Sequence, residues 1–344
     1  MACPAKKTLV VLGATGNQGG SVVRTFLSDP SLMTEWHVRG LTRNTSSIPA
    51  IELSRLGAEM VSASLDSVTE LKAAFENATA IFAVTDFWSA IETDRIAKRV
   101  RDEGINLAVA TQELEEAWGR NLAQAAAEAQ SLERFIFSSL PPVFELSQGN
   151  LKHVHHFDGK ANIVKHIQQE HPALWAKTSQ ILVGFYNSNI LHGSYFGATF
   201  NRETGKPEFE GPVDVDTSIP FIDPVVSTGP FVKVLLLNEP VGTILGAFDE
   251  MKSLRDCIEV LDELTGQRFV YVQKTVDELA AVSPLGREAP ESWLWLTEYG
   301  LFGEKAAGWK ESIKLPTDLS VEIQTPSVDE WLKQQDWTMA FLAV

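Results

Sequence analysis

Thr8-Leu9-Val10-Val11-Leu12-Gly13-Ala14-Thr15-Gly16-Asn17-Gln18-Gly19-Gly20 is the stretch on which the fold turns. Its first five residues are an unbroken β-branched and aliphatic run, the form taken by a parallel strand covered on both faces. The run stops at Gly13, and a helix is expected from about Gln18 to Leu27. In a strand-turn-helix context each glycine has a separate task. Gly13 lets the chain leave the strand sharply, Gly16 lets backbone come close to a ligand, and Gly19 lets the helix lie against the sheet.

Working outward, comparable apolar strands are expected at His37–Thr42, Met60–Ala63, Ala80–Val84, Arg134–Ser138 and Gln180–Val183, with helical stretches between most of them. The best helix runs Gln112–Ala129, where Leu114, Ala117, Trp118, Leu122, Ala125 and Ala126 recur at three- and four-residue spacing. It should cross between the fourth and fifth strands. This alternation predicts an α/β fold, a doubly wound, mostly parallel Rossmann-type sheet over residues 1–189. Beyond 189 the rhythm breaks at Gly205-Lys206-Pro207, Gly211-Pro212 and Gly229-Pro230, then resumes in an amphipathic helix near Leu254–Leu264. Residues 190–344 are therefore expected to form a smaller C-terminal α+β substrate lobe packed against the first.

The 344 residues, 44% hydrophobic and 22% charged, suit an ordinary globular chain. A net charge of −16 argues against direct nucleic-acid binding, which draws on clustered Lys and Arg. Cys3 and Cys257 are too few and too far apart for a disulfide framework, which fits a reducing compartment. No apolar run approaches the roughly 18 residues of a membrane helix, and the run before Gly13 lacks a cleavage pattern. A cytoplasmic location without a membrane partner is the expectation.

The glycine turn opens a helix whose first N–H groups and partial positive charge suit the pyrophosphate of a dinucleotide, so Gly13, Ala14, Thr15, Gly16, Asn17 and Gln18 are the first candidate ligands. The end of the second strand selects its type. No acid stands between His37 and Ile51, where an NAD site would use one for the ribose hydroxyls. Arg43 stands there instead, followed by Asn44 and Thr45, a set suited to the 2′-phosphate of NADP(H).

Four stretches together resemble the NmrA-like family, atypical short-chain dehydrogenase/reductase relatives first known as fungal nitrogen-metabolite repression regulators. They are Val11–Val23, Leu41–Asn44, Glu116–Leu122 and His156-Phe157-Asp158-Gly159-Lys160. The resemblance implies the pyrophosphate on Gly13 to Gln18, the 2′-phosphate on Arg43 and the adenine between Ser64 and Leu65. It further implies Thr85, Asp86 and Phe87 beside the nicotinamide ribose and Lys160 on the ribose hydroxyls. Tyr186, Asn187, Ser188 and Asn189 would close over the nicotinamide end.

Ordinary short-chain dehydrogenases carry a proton-donating Tyr four residues before the Lys. Here Tyr186, Tyr195, Tyr271 and Tyr299 are followed at that distance by Ile190, Thr199, Thr275 and Gly303. Instead His156 stands four before Lys160, on the same face if the segment is helical, which makes the pair the candidate catalytic residues. Ser138 and Ser139 occupy the region of a substrate-orienting serine. His153, His155 and His156 lack a recognisable third-ligand set, so no metal is expected. Trp293, Trp295, Tyr299, Phe302 and Trp309 could line a flat aromatic pocket or pack the lobe's core. Two functions remain: an NADPH-dependent oxidoreductase reducing a carbonyl or conjugated double bond of a small molecule, aromatic ones included, or a non-catalytic NADP(H)-binding redox sensor acting through a regulatory protein partner.

Overall fold

Side chains of successive residues in a strand face opposite sides, and in the first strand Leu9 and Val11 enter one core while Val10 enters another. The computed structural model describes residues 6–191 and 196–338, so Cys3 and Tyr195 lie outside the described residues. Its first strands are β1 (Lys7–Val11), β2 (Trp36–Thr42), β3 (Glu59–Ser62), β4 (Ala80–Val84), β5 (Arg134–Ser139) and β6 (Thr178–Val183). Then come β7 (Phe185–Tyr186), β8 (Thr199–Asn201), β9 (Lys206–Gly211), β10 (Ser218–Ile222), β11 (Ile244–Ala247), β12 (Glu250–Ser253), β13 (Val270–Gln273) and β14 (Ile313–Lys314).

The large sheet has the order β14-β11-β6-β5-β4-β1-β2-β3, and its neighbouring strands pair in parallel. Strand order reverses between β1 and β4, and in open α/β sheets ligands bind in the crevice beyond the carboxyl ends of such strands. Each early strand lies within two residues of its expected position. Two small three-stranded sheets, β12-β10-β7 and β13-β9-β8, complete the strand content of the described residues.

Helices cover both faces. Asn17–Ser28 and Thr228–Leu237 bury Val22, Val23, Phe26, Phe231, Val232 and Leu235 against the side carrying Leu9 and Val11. Leu107–Ala127 and His155–Glu170 bury Leu122, Ile163 and Ile167 on the other. A Cβ on Gly119 would stand 2.3 Å from Ile163, so only glycine lets these two helices touch there. The helix expected to start at Gln112 begins at Leu107, because the Asn106 side chain accepts from Ala108 N (2.9 Å) and Val109 N (3.2 Å) and nucleates an extra turn.

The chain beyond residue 189 does not keep to itself. Helix Thr228–Leu237 packs on helix Asn17–Ser28, and β11 and β14 extend the large sheet past β6. The division at 189/190 is thus not a division between sheets, since residues after it also finish the first layer. Helix Leu254–Thr265 opens with a capping box between Ser253 and Asp256. Cys257 is buried in a core that also takes in Val143, Phe157 and Leu182 from before residue 189. Among the described residues no helix is long and apolar enough to cross a membrane.

Candidate active site

The glycine turn is built as its sequence demands. Gly13 takes φ +60, and a Cβ on Gly19 would sit 2.3 Å from the Gly13 carbonyl oxygen. Gly16 caps helix Asn17–Ser28 without a side chain, and no acid stands in the first turn. The first N–H groups of that helix are therefore left for a ligand, with nothing negative to oppose an anion.

The turn opens onto a cavity of about 820 Å³ that runs across the carboxyl ends of β1, β2, β4, β5 and β6. It is large enough for a dinucleotide together with part of a small second molecule. Of the residues picked from sequence, Gly13, Thr15, Gly16, Asn17, Gln18, Arg43, Ser64, Leu65, Thr85, Asp86, Phe87, His156, Lys160, Tyr186 and Asn189 line it. Ala14, Asn44, Asn187 and Ser188 do not. Ala14 is buried against the sheet, its N–H donating to Leu41 O (3.1 Å). Asn44 spends its side-chain oxygen on Ser46 N (2.9 Å), forming a local turn. Asn187 is buried at the start of the short helix Asn187–Ile190, which also contains Ser188.

At one end of the cavity Arg43 is exposed and makes no hydrogen bond or ion pair among the described residues, so its guanidinium is available to a phosphate. Beside it, the Leu65 carbonyl accepts from Asn121 Nδ2 (2.9 Å), and Asp66 is held by Arg95 (3.2 Å) and Trp118 Nε1 (3.0 Å). Thr15 and Thr42 bring their hydroxyls to 3.4 Å across the turn. Gln18 Nε2 donates to Tyr186 Oη (2.6 Å), whereas Gln18 Oε1 is buried without a protein partner. Burial pushes the Tyr186 phenol up to about 12, which keeps it protonated near neutrality. A turn with unpaired N–H groups, an unengaged arginine and an orphaned amide oxygen fits a phosphate-rich dinucleotide.

At the other end the wall is made of side chains. Lys160 Nζ donates to Thr85 O (2.8 Å) and Thr85 Oγ1 (3.1 Å) and is ion-paired with Glu115, which is fully buried. The Thr85 hydroxyl in turn donates to Glu115 Oε1 (2.7 Å). An ammonium has three protons and here three acceptors, so a ribose hydroxyl reaching Nζ must displace a Thr85 contact. Glu115 could have been noticed in the sequence as an acid on the apolar face of its helix, between Leu114 and Trp118.

Helix His155–Glu170 has already begun at His156, placing His156 and Lys160 on the same face. The His156 ring lies 5.3 Å from that of Trp88 and 4.6 Å from that of Phe157. Its Nδ1 is bonded to Glu288, a fully buried acid from helix Glu288–Tyr299, and its Nε2 has no partner among the described residues. His153 Nδ1 pairs instead with Glu291 (2.7 Å), and His155 Nδ1 with Gln112 (2.6 Å). The three imidazoles thus turn to three separate partners, and among the described residues no group of His, Cys, Asp or Glu is arranged to hold a metal ion. Burial lowers the proton affinity of His155 and lifts the carboxyl of Asp158 to about 6.

Ser138 and Ser139 reach the same cavity from the end of β5. Apart from Ser89 and Ser292, the rest of this end is apolar, with Trp88, Phe157, Phe185, Phe196, Trp293 and Leu296 in its wall. Of the late aromatic cluster, Trp293 faces the cavity, whereas Trp295 and Phe302 are core residues. Trp295 stacks on Tyr299 at 4.8 Å, and Trp309 Nε1 donates to Phe302 O (2.9 Å). Glu288, Glu291 and Trp88 were not picked out from sequence. The first two are acids three residues apart around Pro290, a pattern indistinguishable from an ordinary helix start.

A parallel sheet reversing at a glycine turn, with a cavity across its strand ends, defines a dinucleotide-binding type of α/β protein. The chain belongs to the NmrA-like family, whose model matches residues 5–321. It is 26% identical over 282 residues to the NmrA-like family domain-containing oxidoreductase cpsB of Aspergillus campestris, covering 78% of this chain and 76% of that one. Identity is also 26% over 315 residues with the oxidoreductase ptmS of Penicillium ochrochloron, with 85% and 84% of the two chains covered. Among solved structures, NmrA, a negative transcriptional regulator, in complex with NADP superposes with a TM-score of 0.67 at 20% identity, over 96% of this chain and 95% of that one.

Proposed function

We propose that this chain is an NADP(H)-dependent oxidoreductase that reduces a carbonyl or conjugated double bond of a small, ring-bearing molecule. The observation that carries the reading is the unpartnered Nε2 of His156, set in the same cavity as the glycine turn and walled by aromatic side chains. The naming of the relatives cpsB and ptmS as oxidoreductases supports it, as does NADP in the structure of NmrA.

NADPH, bound with its pyrophosphate over Gly13 to Gln18 and its 2′-phosphate at Arg43, would supply the hydride. His156 releases the Nε2 proton to the substrate oxygen or carbon on which negative charge gathers, and solvent later replaces it. Trp88, Phe157 and Trp293 stack or flank the substrate ring and exclude water. Lys160, clamped by Glu115 and Thr85, keeps a fixed cation beside the ribose.

The test is a calorimetric titration with NADPH, NADP⁺, NADH and NAD⁺, followed by NADPH fluorescence in the presence of quinones, enones and aromatic aldehydes. Preferential binding of the phosphorylated cofactors and consumption of NADPH only with a panel member are expected. Tight binding with no consumption would replace this reading by a redox sensor whose NADP⁺ and NADPH forms differ in affinity for a regulatory protein.

A further inference from the structure

We propose that Glu288 is a positioning residue that holds the His156 proton on Nδ1 and aims Nε2 into the cavity, so that the proton donor is a His-Glu dyad assembled across the chain. Its effect on turnover rests on the oxidoreductase reading; the tautomer itself does not.

The argument begins with what a buried carboxylate can do. Glu288 accepts from His155 N (2.8 Å), His156 N (3.1 Å) and the His156 ring. An ionised carboxylate only accepts, so the ring nitrogen facing it must carry the hydrogen. That leaves Nε2 bare in the neutral ring and makes it the donating N–H once the ring is charged. After transfer the ring returns to the neutral Nδ1–H form, so no second group need move. The helix it touches has no side-chain cap of its own at Val154, and the Glu288 carboxylate takes that place at the helix's positive end.

Three residues on, Glu291 repeats the chemistry. It accepts from Lys152 N (2.9 Å), His153 N (2.9 Å) and His153 Nδ1 (2.7 Å). Yet His153 lies outside the cavity lining, with its side chain 47% exposed. Anchoring the start of the helix therefore does not require a ring in the cavity; only the Glu288 copy combines the clamp with one. Near that ring stand Glu288, His155 and Asp158, with Lys160 one turn further along the same helix, while Glu291 and His153 face His155.

Glu288→Gln separates tautomer control from anchoring. The amide oxygen still accepts from His155 N in the place of Oε2, while the NH2 in the place of Oε1 gives up the His156 N contact and presents N–H to Nδ1, which drives the neutral ring to the opposite tautomer. In protein labelled with ¹⁵N-histidine, His156 is expected as Nδ1–H in the natural chain and Nε2–H in the variant. With a panel substrate, kcat should fall at least about tenfold, while KM for NADPH stays within about twofold, the cofactor end being untouched. An Nε2–H tautomer in the natural chain would overturn the proposal, and that measurement needs no variant to fold. Equal losses of kcat, NADPH affinity and melting temperature would also overturn it, leaving Glu288 an anchor. An Nδ1–H tautomer in a protein that binds NADPH but oxidises it with no member of the substrate panel would sustain the dyad and sink the oxidoreductase reading alone.

Discussion

At the Gly13–Gly19 end of the cavity the chain presents mainly backbone; at the end formed by Thr85, Glu115, His156 and Lys160 it presents side chains drawn from separate helices and loops. The first is a local device, since the turn, its unpaired N–H groups and the helix behind it occupy one short stretch. The second is assembled over distance: Lys160 and Glu115 are 45 residues apart, and His156 and Glu288 are 132 apart. A backbone device fails when a side chain is added. A side-chain device fails when one partner is removed and another is left charged and buried.

The sharpest test of this difference is Lys160→Ala. It strands Glu115, which is fully buried and already has Oε2 without a partner, and should lower unfolding stability by about 3–5 kcal/mol in urea titrations. Pairing Lys160→Met with Glu115→Gln should recover most of that loss. If the single variant is as stable as the natural chain, the far end is not held by its charges.

Next comes Gly19→Ala. The added methyl meets the Gly13 carbonyl oxygen at 2.3 Å and has only rigid backbone to push, so about 1–3 kcal/mol of stability should be lost in the same titrations. NADPH affinity should fall with it, because the turn itself must open.

Arg43→Ala should cost NADPH about 1.5–3 kcal/mol of binding by calorimetry and leave NADH nearly unchanged. Equal losses for both would remove Arg43 from the phosphate.

The smallest effect concerns pH. Burial, opposed in part by the N–H of Phe144, raises the folded pKa of Asp158 to about 6 from 3.8. A raised carboxyl makes its favourable contribution below the lower value and loses it as pH climbs to the higher. Relative to Asp158→Asn, the natural chain should therefore lose about 2 kcal/mol between pH 4 and pH 7 in chemical denaturation. A flat difference would mean that Asp158 is solvated.

The contrast also explains what could be read beforehand. Apolar runs marked β1 to β6 because a strand covered on both faces writes its burial into consecutive residues. The return of helix Thr228–Leu237 and of β11 to the first layer left no such mark, since a short apolar segment fits either layer equally well. That Arg43 reaches the cavity was legible from its place one residue beyond β2. Asn44 was not separable from it until the Ser46 contact showed the amide committed to a turn.

By itself the sequence determined the strand–glycine–helix unit, the absence of an acid after β2, and the four-residue spacing of His156 and Lys160 on one helix. These follow from backbone sterics and from periods of two and 3.6 residues, which act over a few neighbours. Only the tertiary structure decided that Lys160 is clamped by Glu115, that Glu288 stands behind His156, and that Trp293 rather than Trp295 faces the cavity. Each depends on which buried charge or ring meets which across distant elements, and local periodicity carries no record of that pairing.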